Sequence, residues 1–209
     1  MDIKYNISKL KNSKIEELKD SVSVEEPLEM RLKYKTNNKW LIQNISITMR
    51  TPGNDEDLLR GFLYNEGIIE NMNEIDSIKH QGDISGDYNL QNIIEATINK
   101  TDNLEIGKLK RNFVTNSSCG VCGKTSLDSI EVIKNNKMDL TYPQIKEQII
   151  LSSPKLLMNE QSEFAKTGGI HASALVDENG KVVATREDVG RHNALDKLIG
   201  YTITNNLLN

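Results

Sequence analysis

Apolar residues alternate with polar neighbours over residues 28–34 and again over residues 45–49. The two runs are separated by a polar stretch that contains Asn37 and Asn38. Alternation with a period of two, interrupted by turn residues, predicts a β-hairpin with one buried face. The alternating apolar residues of its second strand are Ile45, Ile47 and Met49.

The pattern changes after Pro52 and Gly53, which end the second strand. Acidic residues followed by a leucine and phenylalanine stripe predict a helix over residues 55–65, stopped by Gly67. Two more strands are predicted over residues 75–80 and 92–99. These elements give a small α+β domain, assigned to residues 25–108. Residues 1–24 are polar, lysine-rich and without a period, which predicts a flexible lead-in.

The second half has its own pattern, assigned to a domain over residues 109–209. A short strand leads into a cysteine-containing loop at residues 116–126, and helical stretches follow it, one of them over residues 142–168. A hairpin is predicted over residues 171–189, with turn residues at its centre and Ala174, Val176, Val182 and Ala184 as its alternating apolar set. A final helix runs to about Ile203. The fold class is therefore α+β or α/β, in two domains.

Composition narrows the classes of function. The chain has 209 residues, of which 37% are hydrophobic and 27% charged, as in globular proteins. A net charge of −4 argues against a nucleic-acid partner, since such proteins usually carry a basic surface. No secretory signal or apolar run long enough to cross a membrane is present, so no membrane partner and a cytoplasmic location are expected.

The two cysteines of the chain, Cys119 and Cys122, stand in the stretch "NSSCGVCG", and three interpretations of them remain open. A zinc site needs two further ligands, and the histidines do not have the spacing of one, so no structural metal is expected. Cysteines can also be small apolar fillers, although the flanking glycines make this an entropically costly loop. In the third interpretation the loop precedes a helix N-terminus, where a thiol has a lowered pKa and acts as a nucleophile.

A second group of unusual residues occupies "TGGIHASAL" and "REDVGRHNALDKLIG". The backbone N–H groups of a Thr-Gly-Gly loop can bind an anion, although this signal alone is weak. The density of polar residues beside few apolar ones is typical of a ligand pocket.

Five stretches together resemble the FdhD family, the formate dehydrogenase accessory sulfurtransferases. They are "PLEMRL", "TMRTPGNDEDLLRGFLYNEGII", "NSSCGVCG", "TGGIHASAL" and "REDVGRHNALDKLIG", in the order of the family. The resemblance implies a sulfurtransferase that receives persulfide sulfur from a cysteine desulfurase. It passes this sulfur to the molybdenum bis(molybdopterin guanine dinucleotide) cofactor, a bound substrate, for formate dehydrogenase. The resemblance also implies that the second domain has a three-layer fold like that of cytidine deaminase.

The resemblance also implies roles for single residues. Cys119 matches the cysteine that bears the persulfide and Cys122 its partner. The cofactor site is expected in the two polar stretches, with the nucleotide end at the first: Thr167, Gly168, Gly169, His171, Arg186, Asp188, Arg191, His192 and Asn193.

Members of this family continue beyond the last matched stretch, so the second domain is expected to lack a C-terminal segment. Leu195, Leu198, Ile199 and Ile203 would share one apolar face of the last helix, which later elements would help to cover. The chain is then expected to be less stable than a longer relative, or to self-associate. Three alternatives stay open: a cofactor-binding chaperone of formate dehydrogenase without transfer activity, an inactive shortened homologue, and a zinc-bound deaminase relative. A homodimer is also left open.

Overall fold

A four-stranded sheet forms the centre of the N-terminal part in a computed structural model of the protein. The structure describes residues 1–84, 86, 88–99 and 145–207. The strands β3 (Glu26–Thr36), β4 (Lys39–Arg50), β5 (Ile75–Gln81) and β6 (Ile93–Ile98) lie in the order β4-β3-β6-β5. This confirms the predicted hairpin of β3 and β4 and both further strands.

The predicted apolar residues of β3 lie on the inner face of the sheet. Leu28, Met30, Leu32 and Tyr34 are buried, and they form one hydrophobic core with residues of β6 and of the helix α1 (Asp55–Asn65). The bounds of α1 agree with the predicted helix. Gly67 has a φ of +67°, a conformation that glycine adopts without steric cost, so the chain can turn sharply at the end of α1.

A β-bulge in β4 places the alternating apolar residues at the end of this strand on two different faces of the sheet. Met30 pairs with Ser46 and Arg31 with Asn44, so Ile45 is the extra residue. An extra residue shifts the alternation by one position, and every side chain after it changes face. Ile45 is therefore buried, whereas Ile47 and Met49 point to the outer face of the sheet and are exposed.

The N-terminal residues 1–24, for which the sequence predicts a flexible lead-in, form a regular hairpin in the structure. Strands β1 (Asp2–Lys11) and β2 (Lys14–Ser23) pair in antiparallel register throughout. Most of their side chains are exposed on both faces. Because neither face is buried, the sequence lacks the alternation of apolar and polar residues that identifies a strand. Asn12 and Ser13 at the turn both have positive φ, as the tight turns of two-residue hairpins require.

The second part of the described chain contains α2 (Glu147–Glu160), α3 (Ser162–Thr167), β7 (His171–Val176), β8 (Val182–Asp188) and α4 (Arg191–Thr204). The predicted hairpin and final helix are confirmed. The helix predicted over residues 142–168 is two helices instead, because Glu187 of β8 accepts hydrogen bonds from the backbone N–H groups of Glu163 and Phe164 and so caps the start of α3. The cytidine deaminase-like three-layer arrangement stays a prediction.

Helices α1 and α4 pack so closely that their backbones touch at two glycines. A Cβ atom on Gly61 would lie 1.9 Å from the carbonyl oxygen of Asp196, and one on Gly200 would lie 1.9 Å from that of Asp57. The side of α4 that packs here is small and polar. Of the predicted apolar face only Leu198 is buried, and Leu195 is exposed.

Candidate cofactor-binding site

The end of the β7–β8 hairpin brings the two predicted polar stretches together. His171 at the start of β7 pairs with Asp188 at the end of β8. The Thr167–Gly169 segment leads into β7 and the Gly190–Asn193 segment follows β8, so both lie at the same end of the hairpin. All nine residues predicted to bind the cofactor stand in these two segments or in the adjoining strand ends.

One group of these residues faces solvent. Gly168, Gly169, His171 and Arg191 are exposed. Gly168 has a φ of +65°, which accounts for glycine at this position. Gly169 has no such φ, and apart from its chain neighbours only the oxygen of Thr167 lies within 4 Å of the position that a Cβ atom would take. Neither backbone conformation nor packing against the described residues therefore requires a glycine at position 169. A glycine that leaves its backbone open in this way allows a ligand to approach the loop closely.

His192 lies between this exposed group and the interior. Its Nδ1 atom is buried and has no hydrogen-bond partner among the described residues. Burial lowers the pKa of His192, and the positive charge of Arg191 lowers it further. The imidazole is therefore neutral at neutral pH, with a ring nitrogen that can still donate or accept a hydrogen bond.

Thr167 connects the loop to the N-terminal hairpin. Its Oγ1 donates to the carbonyl oxygen of Glu163, 2.8 Å away, and accepts a hydrogen bond from the Ser23 hydroxyl at 3.0 Å. The threonine is half-buried and holds the loop in place from below.

A second group of predicted residues makes internal contacts. Asp188 is fully buried and accepts hydrogen bonds from the backbone N–H groups of Thr51 and Gly190. The Asn193 amide donates to Asp188 and to the carbonyl oxygen of Met49. These bonds attach the end of β8 and the start of α4 to the end of β4. The role that the structure shows for Asp188 and Asn193 is thus to join the two parts of the chain.

Arg186 also joins the two parts. Its guanidinium donates twice to one carboxylate oxygen of Asp57 in α1, at 2.9 and 3.1 Å. The same group lies 4.1 Å from the ring centroid of Tyr201 in α4, a cation–π distance. Arg186 is consequently half-buried between α1, β8 and α4.

Lys197 of α4 completes this interface and was missed from the sequence. Its Nζ lies 2.7 Å from a carboxylate oxygen of Asp188 and 2.8 Å from the carbonyl oxygen of Thr51. The spacing of four residues between Asn193 and Lys197 puts both on one side of a helix, which could have indicated a polar contact face.

Cys119 and Cys122 lie outside the described residues, as do the strand and helix predicted around them. The described part of the chain has no group of three or more histidine, cysteine and acidic residues placed to hold a metal.

A separate cleft of about 570 Å³ opens beside the start of α1. His80, one of the histidines weighed as a zinc ligand, lines it together with Asp55. The Nε2 of His80 is 3.6 Å from Asp55, and its Nδ1 lies 3.0 Å from the carbonyl oxygen of Gln91. Asp55 is also held by the buried guanidinium of Arg50. Arg50, Asp55 and His80, which line the cleft, are therefore paired with each other or with a backbone carbonyl.

Comparison with protein families gives a match over residues 23–208 to the model described as the FdhD/NarQ family. Among curated proteins, the chain is 40% identical over 181 residues to the sulfur carrier protein FdhD of Sulfurisphaera tokodaii. It is also 40% identical over 188 residues to that of Picrophilus torridus and over 183 residues to that of Streptomyces avermitilis. These alignments cover 87%, 90% and 87% of the chain, but 62%, 66% and 62% of the relatives. The chain thus spans less than two thirds of the length of these relatives.

Among solved structures, the fold resembles that of a candidate formate dehydrogenase accessory protein from Desulfotalea psychrophila, with a TM-score of 0.59 and 20% identity. The similarity covers 98% of this chain and 69% of that one. At this level of identity it supports a common fold. Among the described residues, no helix is both long and apolar enough to span a membrane.

Proposed function

The chain belongs to the FdhD/NarQ family, and from this membership we propose that it is a sulfur carrier, a sulfurtransferase that serves formate dehydrogenase. The observation that carries the proposal is the family match itself, which includes the cysteine pair and both polar stretches. The relatives are named as sulfur carriers, and the similar structure is described as a formate dehydrogenase accessory protein.

In the proposed reaction, the thiolate of Cys119 attacks the outer sulfur of a persulfide on a cysteine desulfurase. The sulfur–sulfur bond of the donor breaks, a new one forms on Cys119, and the donor cysteine leaves as a thiolate. No net oxidation takes place, because one persulfide replaces another. Both partners of this exchange are expected in the cytoplasm, where thiols are kept reduced.

The acceptor in the proposal is the molybdenum bis(molybdopterin guanine dinucleotide) cofactor, bound as a substrate. The exposed group at the end of the β7–β8 hairpin supports this part. The open backbone of Gly168 and Gly169 and the cation of Arg191 suit a phosphate-bearing ligand, and His171 and His192 offer ring nitrogens for its polar edge. Arg186, Asp188 and Asn193 would then support the site from beneath.

Mass spectrometry after incubation with a cysteine desulfurase and cysteine tests the sulfur-carrying step. A gain of about 32 Da, the mass of one sulfur atom, is expected on the peptide that contains Cys119. Cys119→Ala should remove the gain, and Cys122→Ala serves as the matched control for loss of a thiol in the same loop. Full-yield modification of Cys122 in the Cys119→Ala variant would contradict the assignment.

Calorimetry tests the acceptor separately, with GDP and ADP as probes for the nucleotide end. Tighter binding of GDP is expected, and Arg191→Ala should weaken it. If the protein accepts sulfur but binds GDP and ADP equally, it is a sulfur carrier whose acceptor is a different molecule. Nucleotide binding without sulfur loading would favour the chaperone alternative.

A further inference from the structure

The outer face of the central sheet carries an exposed apolar stripe along the edge strand β4. Trp40, Ile42, Ile47 and Met49 are 51%, 56%, 57% and 46% exposed. Their cross-strand partners are Lys35, Lys33, Glu29 and Pro27 of β3. Paired residues share one face of a sheet, so the four apolar side chains form a continuous stripe, the β4 stripe.

The bulge at Ile45 is what keeps this stripe on one face. Without an extra residue, side chains at even positions before it and odd positions after it would point to opposite faces. The insertion places Trp40 and Ile42 on the same side as Ile47 and Met49. Without the bulge, Ile47 and Met49 would face the core while Trp40 and Ile42 stayed on the outer face. The bulge is therefore the reason that all four side chains are exposed on one face.

Over residues 40–47 the edge of β4 also lacks the usual protection against pairing, whereas its last residues are contacted by Asn193 of α4, which donates to the carbonyl oxygen of Met49. The strand is at one end of the order β4-β3-β6-β5, and within the described residues no other strand pairs with its outer edge. Residues 40–49 contain no charged side chain and no proline. Proteins commonly protect exposed edges with lysine, proline or an inward charge. An unprotected edge beside an apolar face is the arrangement to which extended segments of other proteins add as a further strand.

The charge beside the β4 stripe limits what can bind there. Lys33 and Lys35 lie on the same face, and neither forms an ion pair with a described residue, although the chain as a whole has a net charge of −4. Lys33 lies 5.5 Å from the ring centroid of Trp40. An added strand would be about 10 Å from β3, two strand spacings, which the combined length of a lysine and a glutamate side chain can bridge.

We propose that β4 accepts an extended segment of a partner protein, apolar on alternate residues and acidic at the end that lies beside Trp40 and Ile42. The segment pairs antiparallel with the edge of β4 over residues 40–47 and packs its apolar side chains beside the β4 stripe, while its carboxylates meet Lys33 and Lys35.

Trp40 reports directly on this surface, because it is the one tryptophan of the chain. A probe peptide of about ten residues that alternates threonine and valine and ends in two glutamates should shift the Trp40 emission to shorter wavelength, with saturation. A matched peptide ending in two lysines should bind roughly fivefold or more weakly, as expected for two exposed ion pairs. The Lys33→Glu, Lys35→Glu double variant should reverse this preference. Ile42→Lys should abolish the shift for both peptides at an unchanged melting temperature.

Four outcomes would overturn the proposal: no shift with either peptide, equal binding of both, a preference that the double variant leaves unchanged, or peptide binding that Ile42→Lys does not reduce. Two others would overturn it by assigning the surface to a different occupant. Trp40 that is already inaccessible to iodide in the isolated monomer would show that the chain itself covers β4. A shift that depends on protein concentration alone, with a doubled mass in sedimentation, would show that a second copy does.

Discussion

Single residues at the junction of the two parts are expected to contribute strongly to the free energy of unfolding, and Lys197 is the clearest example. Its ammonium group and the carboxylate of Asp188 are both almost inaccessible to solvent. Removal of one member of such a pair leaves an uncompensated buried charge, whereas removal of both does not.

Lys197→Met is therefore expected to lower the free energy of unfolding by about 3–5 kcal/mol. Combining it with Asp188→Asn should recover part of this loss, although Asp188 also accepts backbone hydrogen bonds. Urea unfolding of the two single variants and the double variant measures the coupling. Additive losses would show that the two side chains are not paired.

Asp196 is the residue at which pH should act on stability. Burial raises its pKa to about 7, the charge of Glu66 adds to this, and the hydrogen bond from Asn65 opposes it. The unfolded chain loses this proton near pH 4, but the folded chain retains it until about pH 7. Folding thus loses stability as pH rises from about 4 to 7, and the full penalty is present above that range.

We expect Asp196→Asn to raise the free energy of unfolding at pH 8 and to leave it nearly unchanged at pH 4. Because the side chain is only half-buried, the gain should be modest, about 1–2 kcal/mol. Denaturant unfolding at the two pH values measures it, with Glu66→Gln as a control for the neighbouring charge. An equal effect at both pH values would contradict the raised pKa.

The solvent-facing residues should separate binding from stability. His171→Ala and Gly169→Ala are expected to weaken the binding of GDP without changing the melting temperature, because neither side chain position contacts the interior. Asn193→Ala should instead lower the melting temperature, since it removes bonds to Asp188 and Met49. Calorimetry and thermal melting of the three variants distinguish the roles. If Gly169→Ala lowers the melting temperature, the loop contributes to stability, and the expectation that this position is open is wrong.

At the scale of elements, the contact between α1 and α4 sets the position of the candidate site. The hairpin β7–β8 packs against α4, and α4 packs against α1 through Gly61 and Gly200. Helix packing at this distance depends on the absence of side-chain atoms at the two crossing points.

Gly200→Ala is expected to destabilise the protein by at least about 2 kcal/mol, because the new methyl group would overlap the backbone of Asp57. Helix propensity alone predicts the opposite, a gain of about 1 kcal/mol for alanine. The sign of the change in unfolding free energy therefore decides whether the helices touch. Gly169→Ala, at an open position of the same chain, is the matched control.

The elements that could be predicted from the sequence are those whose burial follows a regular period. The alternation of Leu28, Met30, Leu32 and Tyr34 and the apolar stripe of α1 identified their elements correctly. The hairpin β1–β2 has no buried face, so no period marks it. The bulge at Ile45 is equally hidden, since Ile45, Ile47 and Met49 alternate in the sequence as if they shared a face.

The position of the candidate site could be predicted from the sequence. Which of its residues face solvent and which hold the two parts of the chain together could not. Polar density marked both stretches, whereas composition does not distinguish an arginine facing a ligand from one paired with Asp57. That distinction depends on which element packs against each side chain. Lys197 was missed for the same reason, because its partners Asp188 and Thr51 come from two other elements.

Over the whole molecule, contacts between the two parts are buried and specific, so the described parts should unfold together. Trp40 reports on the central sheet, while far-ultraviolet circular dichroism is dominated by helices of both parts. The two signals are expected to give coincident urea transitions, and Gly200→Ala should move both midpoints together. Separate transitions would show that the two parts unfold independently.

The junction between the two parts also has a consequence for synthesis on the ribosome. Thr51 and its partner Asp188 are 137 residues apart in the chain. At about 5–20 residues per second, roughly 7–30 s pass after α1 has been translated before α4 can reach it. During this interval the glycine-lined side of α1 has no neighbour and is accessible to chaperones. The rate at which ribosomes translate the stretch between α1 and α4 should therefore influence how much of the protein reaches its folded state.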